Sequence, residues 1–118
     1  MLTSEQAVQG QLDAYNSHDV DRFLAFYAAE TVVQDGNGNV LMEGLDRMKK
    51  GYGELFDQSP ELRCLLAGRS VLGEYVVDHE IVTGRKGGDV HAIVMYHVRN
   101  GKIDHVTIAK QPITRQTA

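Results

Sequence analysis

The stretch VMYHVRNGKIDHVTI, residues 94–108, decides the fold that this sequence predicts. Runs rich in valine, isoleucine and tyrosine lie on both sides of Asn100-Gly101, and both residues of that pair tolerate a positive φ. A tight turn between antiparallel strands requires this backbone conformation. We therefore expect a strand from Val90 to Arg99 to fold back onto a strand from Ile103 to Lys110.

Segments upstream of this hairpin continue the sheet and then change to helices. Runs rich in β-branched residues predict further strands, and apolar residues at helical spacing predict three helices. The strands are Leu62 to Leu72, Tyr75 to Thr83, Thr31 to Asp35 and Val40 to Met42, and the helices are Ser4 to Ser17, a short one from Asp19 that reaches Tyr27, and Leu45 to Asp57. This order predicts one α+β domain over residues 1–118, with three N-terminal helices on one face of a curved antiparallel sheet that encloses a pocket.

Composition and charge narrow the class of protein. The 118 residues are 42% hydrophobic and 24% charged, as in ordinary soluble domains, and the formal net charge is -4. An acidic balance argues against nucleic acid or an anionic membrane as the main partner. No run reaches the length of a membrane span, the N-terminus lacks the order of a signal peptide, and the single cysteine, Cys64, fits a reducing compartment. We therefore expect a cytoplasmic protein.

Asp35 is the first candidate for chemistry. It follows Thr31 and Val33 on one face of an alternating strand, where partial burial raises the proton affinity of a carboxylate, as a general base requires. The alternative is that Asp35 only begins the turn at residues 36–39, as aspartate often does. Its position alone leaves both interpretations open.

Strand parity predicts which other side chains face the pocket. Between Tyr75 and Thr83, Asp78 and Glu80 share one face, and we expect these acids outside. His79 then lies inside with its aliphatic neighbours. The expected result is an imidazole facing the pocket.

The next strand presents an apolar face and a mixed face. Val94 and Tyr96 belong to the smoother apolar face, which we expect to line the pocket, whereas the mixed face with Ile93 and His97 suits a second subunit. The facing of His105 stays open, because simple pairing across the turn puts it inside and a β-bulge would turn it outward.

The predicted pocket therefore collects polar side chains from strands and helices. They are Asp35, His79, Tyr96, Tyr15, Tyr27, Tyr52 and Gln11. Each of them alone is more often a core residue than a catalytic one, but their convergence on one concave surface favours a site. The sequence has no HExxH, CxxC, Walker or GxGxxG motif, so no metal or cofactor is expected.

Three segments resemble the NTF2-like superfamily, and within it the SnoaL-like proteins and ketosteroid isomerases. They are AYNSHDVDRFLAFYAAETVVQD, EGLDRMKKGYGELF and YHVRNGKIDHVTI. The resemblance covers Ser4 to about Lys110. It implies a cone-shaped α+β barrel and a homodimer joined through the outer face of the sheet.

The resemblance also implies roles for single residues. Asp35 falls on the catalytic base of the ketosteroid isomerases, Tyr27 and Tyr52 on supporting positions of a tyrosine network, and His79 on a cavity-lining aromatic position. The chain departs from that pattern at the oxyanion site. Gln11 stands where the main tyrosine is expected, and Tyr96 stands where the family has a protonated aspartate.

The leading hypothesis is an isomerase- or cyclase-type enzyme for a small apolar or carbonyl-containing molecule. Asp35 would take a proton beside a carbonyl, Tyr96 with Gln11 or Tyr15 would steady the oxyanion, and His79 would orient the substrate or relay protons. The alternatives are a non-catalytic module that holds a small ligand and a dimeric interaction domain. An epoxide hydrolase is disfavoured, since no inward arginine is evident in the sequence.

Overall fold

The computed structural model describes residues 1–114 of the chain and confirms the α+β class. The helices are α1 (Ser4–Asn16), α2 (Val20–Leu24) and α3 (Leu45–Gln58). The strands are β1 (Tyr27–Asp35), β2 (Val40–Glu43), β3 (Arg63–Leu72), β4 (Tyr75–Thr83), β5 (Val90–Arg99) and β6 (Lys102–Pro112). The helices cover one face of the sheet, as the sequence predicts.

The strands form one sheet in the order β2-β1-β6-β5-β4-β3. Strands β3 to β6 make the predicted antiparallel meander, and the β5–β6 turn has Asn100 at φ 53° and Gly101 at φ 76°. The β1–β6 pair is parallel, so the sheet is not antiparallel throughout. This pairing also explains why the second helix ends at Leu24, because Tyr27 already belongs to β1 and pairs with Ile103.

Helix α1 begins with a capping box. The side chain of Thr3 accepts a hydrogen bond from the backbone N–H of Gln6, and the side chain of Gln6 accepts one from Thr3. This arrangement satisfies backbone donors that no helical carbonyl reaches. The helix then packs its buried residues, among them Val8 and Leu12, onto the sheet.

The core consists of two hydrophobic clusters. One contains Phe23, Met48 and Ile103, and the other contains Phe56 and Leu62. Three partly buried side chains touch both clusters. They are Tyr15, Val20 and Tyr52. These three side chains therefore connect the two clusters.

Strand β4 faces the opposite way from the sequence-based expectation. Val76, Asp78 and Glu80 are buried, whereas His79 is exposed on the outer face. The register with β5 explains the difference, because Asp78 lies opposite Val94 and Glu80 opposite Ala92, and directly opposed residues point to the same face. The prediction that the acids lie outside is wrong.

The outer face of the sheet is partly apolar. Leu65, Ile93 and Met95 are each about half exposed there. A β-bulge between His97 and Val98 places His105 opposite His97, which turns His105 outward. The homodimer through this face stays a prediction. Within residues 1–114, no helix has both the length and the apolar content that crossing a bilayer requires.

Candidate functional site

A cavity of about 310 Å³ lies between the inner face of the sheet and helices α1 and α3. This volume is at the small end of the range for ligand sites. The wall is buried at one end, around Gln11, Tyr27 and Tyr96, and exposed at the other, at Leu41 and Lys110. The cavity therefore has a closed inner end and an open mouth.

Glu80 is the carboxylate on the cavity wall. Its side chain projects from β4 and the residue is 7% exposed. Burial, and next the negative charge of Asp78, raise the pKa of Glu80 to about 7. Hydrogen bonding from Cys64 and Tyr96 and the charge of Arg69 oppose this shift without cancelling it. A carboxyl group with a pKa in this range can both accept and release a proton around neutral pH.

A chain of hydrogen bonds runs from the closed end of the cavity to Glu80. The Tyr27 hydroxyl donates to Gln11 Oε1 at 2.8 Å, and Gln11 Nε2 donates to the Tyr96 hydroxyl at 3.2 Å. The Tyr96 hydroxyl in turn donates to Glu80 Oε2 at 3.3 Å. Gln11 Nε2 also donates to the carbonyl of Val8, which fixes the amide orientation. The network holds Glu80 Oε2, and the Cys64 thiol adds a second hydrogen bond to the carboxyl group.

Tyr15 and Tyr52 present free hydroxyls to the cavity. Neither hydroxyl has a hydrogen-bond partner among residues 1–114. Within residues 1–114, every fully buried side-chain oxygen or nitrogen has a hydrogen-bond partner. The unpartnered hydroxyls of Tyr15 and Tyr52 are therefore not fully buried, and they are accessible from the cavity. The two rings meet edge to face, with centroids 6.4 Å apart. Burial raises the pKa of each phenol, which keeps both as hydrogen-bond donors.

Asp78, two residues from Glu80, is already paired. Arg69 donates to it twice, from Nε at 2.7 Å and from Nη2 at 3.0 Å, and Arg69 Nη1 donates to Gln9 of α1. The expectation of no inward arginine is therefore wrong. Neither Arg69 nor Asp78 lines the cavity, so this pair does not supply the arginine of an epoxide hydrolase site.

Asp35 lies at the end of β1, but its carboxylate belongs to the following turn. Oδ1 accepts hydrogen bonds from the backbone N–H groups of Asn37 at 2.9 Å and Asn39 at 3.0 Å, and Oδ2 accepts one from Asn39 Nδ2 at 3.0 Å. These bonds, led by the one from the Asn39 side chain, lower the pKa of Asp35. The expected rise in proton affinity is wrong, because hydrogen bonds to the charged form outweigh the little burial that Asp35 has.

The structure places the other predicted site residues on two sides of the sheet. His79 lies outside, with its ring centroid 5.7 Å from that of His91, so the prediction that it faces the pocket is wrong. Six predicted residues do line the cavity. They are Gln11, Tyr15, Tyr27, Tyr52, Val94 and Tyr96. Their roles in binding or catalysis stay predictions.

The sequence-based reasoning missed Glu80 and the mouth residues Arg85 and Lys110. The signal that locates Glu80 is the clean alternation of β5, since the partner of Ala92 must share the face of Ala92. Within residues 1–114, no group of three or more His, Cys, Asp or Glu side chains is arranged to hold a metal ion. The chemistry of the cavity wall is therefore that of one carboxyl group, phenols and an amide.

Comparison with known proteins identifies the family of this chain. Residues 8–106 match the model of the SnoaL-like domain family, and the chain belongs to that family. No curated protein matches the sequence.

Solved structures show the same fold at low sequence identity. An uncharacterized cystatin-fold protein from Novosphingobium aromaticivorans is 20% identical with a TM-score of 0.85, over 92% of this chain and 99% of that one. A proposed ketosteroid isomerase from Kribbella flavida is 12% identical with a TM-score of 0.78, over 98% and 82% of the two chains. A proposed SnoaL-like polyketide cyclase from Jannaschia sp. is 16% identical with a TM-score of 0.76, over 91% and 84%.

Proposed function

We propose that this protein is an isomerase- or cyclase-type enzyme that moves a proton beside a carbonyl group, with Glu80 as the base. The observation that carries the proposal is a buried carboxyl group with a pKa of about 7 on the wall of an apolar cavity. A general base works best when its pKa lies near the working pH. Asp35, with a lowered pKa and a carboxylate engaged by its turn, lacks this property.

The reaction balances without a cofactor. Ionised Glu80 takes a proton from the carbon next to the substrate carbonyl. The electron pair of that C–H bond forms the C=C bond of an enolate, and the π electrons of the carbonyl move to its oxygen. The free hydroxyls of Tyr15 and Tyr52 donate hydrogen bonds to that oxygen as negative charge develops. Glu80 then returns its proton to the same carbon or to a conjugated one, and the enolate reverts to a carbonyl. Both tyrosines keep their protons throughout.

Exchange of hydrogen for deuterium tests this proposal without knowledge of the natural substrate. Cyclohexanone incubated with the protein in D₂O should lose its α-hydrogens faster than in buffer, as followed by mass spectrometry. Because a positioned base contributes roughly 10²- to 10⁴-fold, Glu80→Gln should lower the protein-dependent rate by about that factor. The rate should rise as the pH increases through about 7, since Glu80 must be ionised.

Asp35→Asn is the matched control. It changes a carboxylate to an amide as Glu80→Gln does, but at a residue that points into the turn, and it should leave the exchange rate unchanged. Loss of exchange in Asp35→Asn with retention in Glu80→Gln would return the base to the position that the family resemblance implies.

A second candidate is a ligand-binding module without catalysis. The hydrogen-bond chain from Tyr27 to Glu80 favours it, because every member has a partner inside the protein and the chain needs no substrate to complete it. Saturable binding of cyclohexanone with no exchange above that of Glu80→Gln would favour the module over the enzyme.

A further inference from the structure

Two cationic side chains lie on the mouth of a cavity that is otherwise lined by apolar residues, phenols, an amide, a thiol and Glu80. They are Arg85, in the hairpin between β4 and β5, and Lys110, on β6. Neither forms an ion pair with a carboxylate of residues 1–114. A chain with a formal net charge of -4 thus places two positive charges where a ligand must enter.

The hairpin holds Arg85 in place. Gly84 has φ +71°, and a Cβ at this position would collide with the backbone of Glu61, so the hairpin requires glycine there. Arg85 Nε donates to the carbonyl of Gly88 at 3.2 Å. The two Nη nitrogens make no hydrogen bond to residues 1–114. The guanidinium is therefore anchored on one side and open to a ligand on the other.

Arg85 also acts on the interior of the cavity. Its charge lowers the pKa of Tyr15, although burial raises that pKa by a larger amount. Arg85 and Tyr15 also line the same cavity, so one ligand there can reach both side chains. This places a fixed positive charge on the path between the mouth and the phenols.

Lys110 lies in line with Glu80 across the sheet. Glu80 pairs with Ala92 on β5, and Ala92 pairs with Lys110 on β6. Two strand spacings separate the Cα atoms of Glu80 and Lys110 by roughly 10 Å. A short alkyl chain therefore spans the distance between the Glu80 carboxyl group and the cation of Lys110.

We propose that the pocket takes amphipathic keto acids, small apolar molecules with a carbonyl at one end and a carboxylate at the other. The carboxylate pairs with the open side of the Arg85 guanidinium, whose fork of N–H donors matches two carboxylate oxygens, and with Lys110. The carbonyl end lies against Glu80, Tyr15 and Tyr52. The position of the carbonyl end rests on the proposed function. Recognition of the ligand carboxylate at the mouth is independent of that function.

A matched pair of ligands tests the proposal. 7-Oxooctanoate and 2-octanone carry the same methyl ketone on an alkyl chain, and only the first has a carboxylate. Isothermal titration calorimetry at low salt and pH 8 should show 7-oxooctanoate binding about tenfold more tightly, the effect of one charge-assisted contact. Arg85→Gln should remove most of that preference, and Lys110→Gln should remove less because Lys110 is exposed to solvent.

Two controls separate the charge effect from other causes. Lys86→Gln removes the next cation in the same hairpin, which does not line the cavity, and should keep the preference. Binding of 2-octanone should be the same in all variants, which shows that the pocket still folds. Equal affinity for the two ligands, binding of neither, or an equal loss in Lys86→Gln would overturn the proposal.

The preference for 7-oxooctanoate over 2-octanone does not depend on Glu80 as a base. Glu80→Gln should retain the preference for 7-oxooctanoate, because the carboxylate binds at the mouth. If Glu80→Gln leaves deuterium exchange intact while Arg85→Gln abolishes the preference, the proposed function fails and the keto acid specificity stands.

Discussion

Asp78 and Glu80 are two buried carboxylates on the same face of β4, and they differ in what surrounds them. Asp78 is fully buried and receives two hydrogen bonds from Arg69 beneath α1. Glu80 has no cation in contact and receives a hydrogen bond from the Tyr96 hydroxyl. Two positions along one strand therefore separate a buried ion pair from a carboxyl group without a cation, whose pKa is raised to about 7.

Burial alone therefore does not set the surroundings of a carboxyl group in this strand. Burial raises the pKa of any carboxyl group, and a bidentate guanidinium opposes this. The guanidinium of Arg69 pairs with Asp78 behind the cavity wall. Glu80, which does line the cavity, keeps its raised pKa and gains a further increase from the charge of Asp78.

The largest expected effect comes from removing the charge of Asp78. Asp78→Asn leaves the partly buried guanidinium of Arg69 with Gln9 and the more distant Glu5 as partners. Breaking a buried ion pair on one side costs about 3–5 kcal/mol, and we expect this loss in the free energy of unfolding measured with urea. The same substitution should lower the pKa of Glu80, since it removes a neighbouring negative charge.

The double variant Arg69→Met with Asp78→Leu is the control. It replaces both charges by apolar groups and should be more stable than Asp78→Asn, because no unpaired charge stays buried. A change of less than about 1 kcal/mol in Asp78→Asn would show that the pair does not hold the fold.

The orientation of these two acids marks the limit of what the sequence predicts. The meander follows from Asn100-Gly101, and the inner face of β5 follows from its regular alternation. Strand β4 has aliphatic residues on both faces, Val76 and Val82 on one and Val77 and Ile81 on the other, so its own pattern does not fix its parity.

Long-range contacts decide the rest. The partner that makes a buried Asp78 tolerable, Arg69, comes from a different strand and cannot be assigned from local pattern. The connection from Thr83 to Val90 is longer than a two-residue turn, so it does not set the β4–β5 register. Asp35 differs, because the local sequence already indicates its role. The turn at residues 36–39 accounts for every hydrogen bond of the Asp35 carboxylate.

The next effect in size is the pH dependence that Glu80 imposes on stability. Its pKa rises from 4.5 to about 7 on folding, so between these values the native state binds more protons than the unfolded chain. Stability due to Glu80 is therefore full below about pH 4.5 and is lost as the pH rises to 7. The free energy of unfolding that is lost over this range corresponds to about 3 kcal/mol.

Glu80→Gln should remove this slope, as measured by urea unfolding across the same pH range. Two other groups have shifted pKa values; Asp35 acts below this range, and His97 overlaps only its upper end. Asp35, with a lowered pKa, loses its contribution only as the pH falls below 3.8, and His97, with a raised pKa, loses its contribution above 6.5. An identical slope in wild type and Glu80→Gln would show that Glu80 does not titrate in this window.

The smallest effect comes from the hydrogen bond that distinguishes Glu80 within the network. Tyr96→Phe removes the donor to Glu80 Oε2 and should cost about 1 kcal/mol of stability at pH 8, where Glu80 is ionised. Because this bond lowers the pKa of Glu80, its loss should move the midpoint of the Glu80 titration above about 7, as followed by ¹³C NMR of the labelled carboxyl carbon. The same substitution in a Glu80→Gln background should cost less, since a neutral amide forms a weaker hydrogen bond than a carboxylate. A midpoint that falls instead would mean that the Tyr96 hydroxyl favours the protonated form of Glu80.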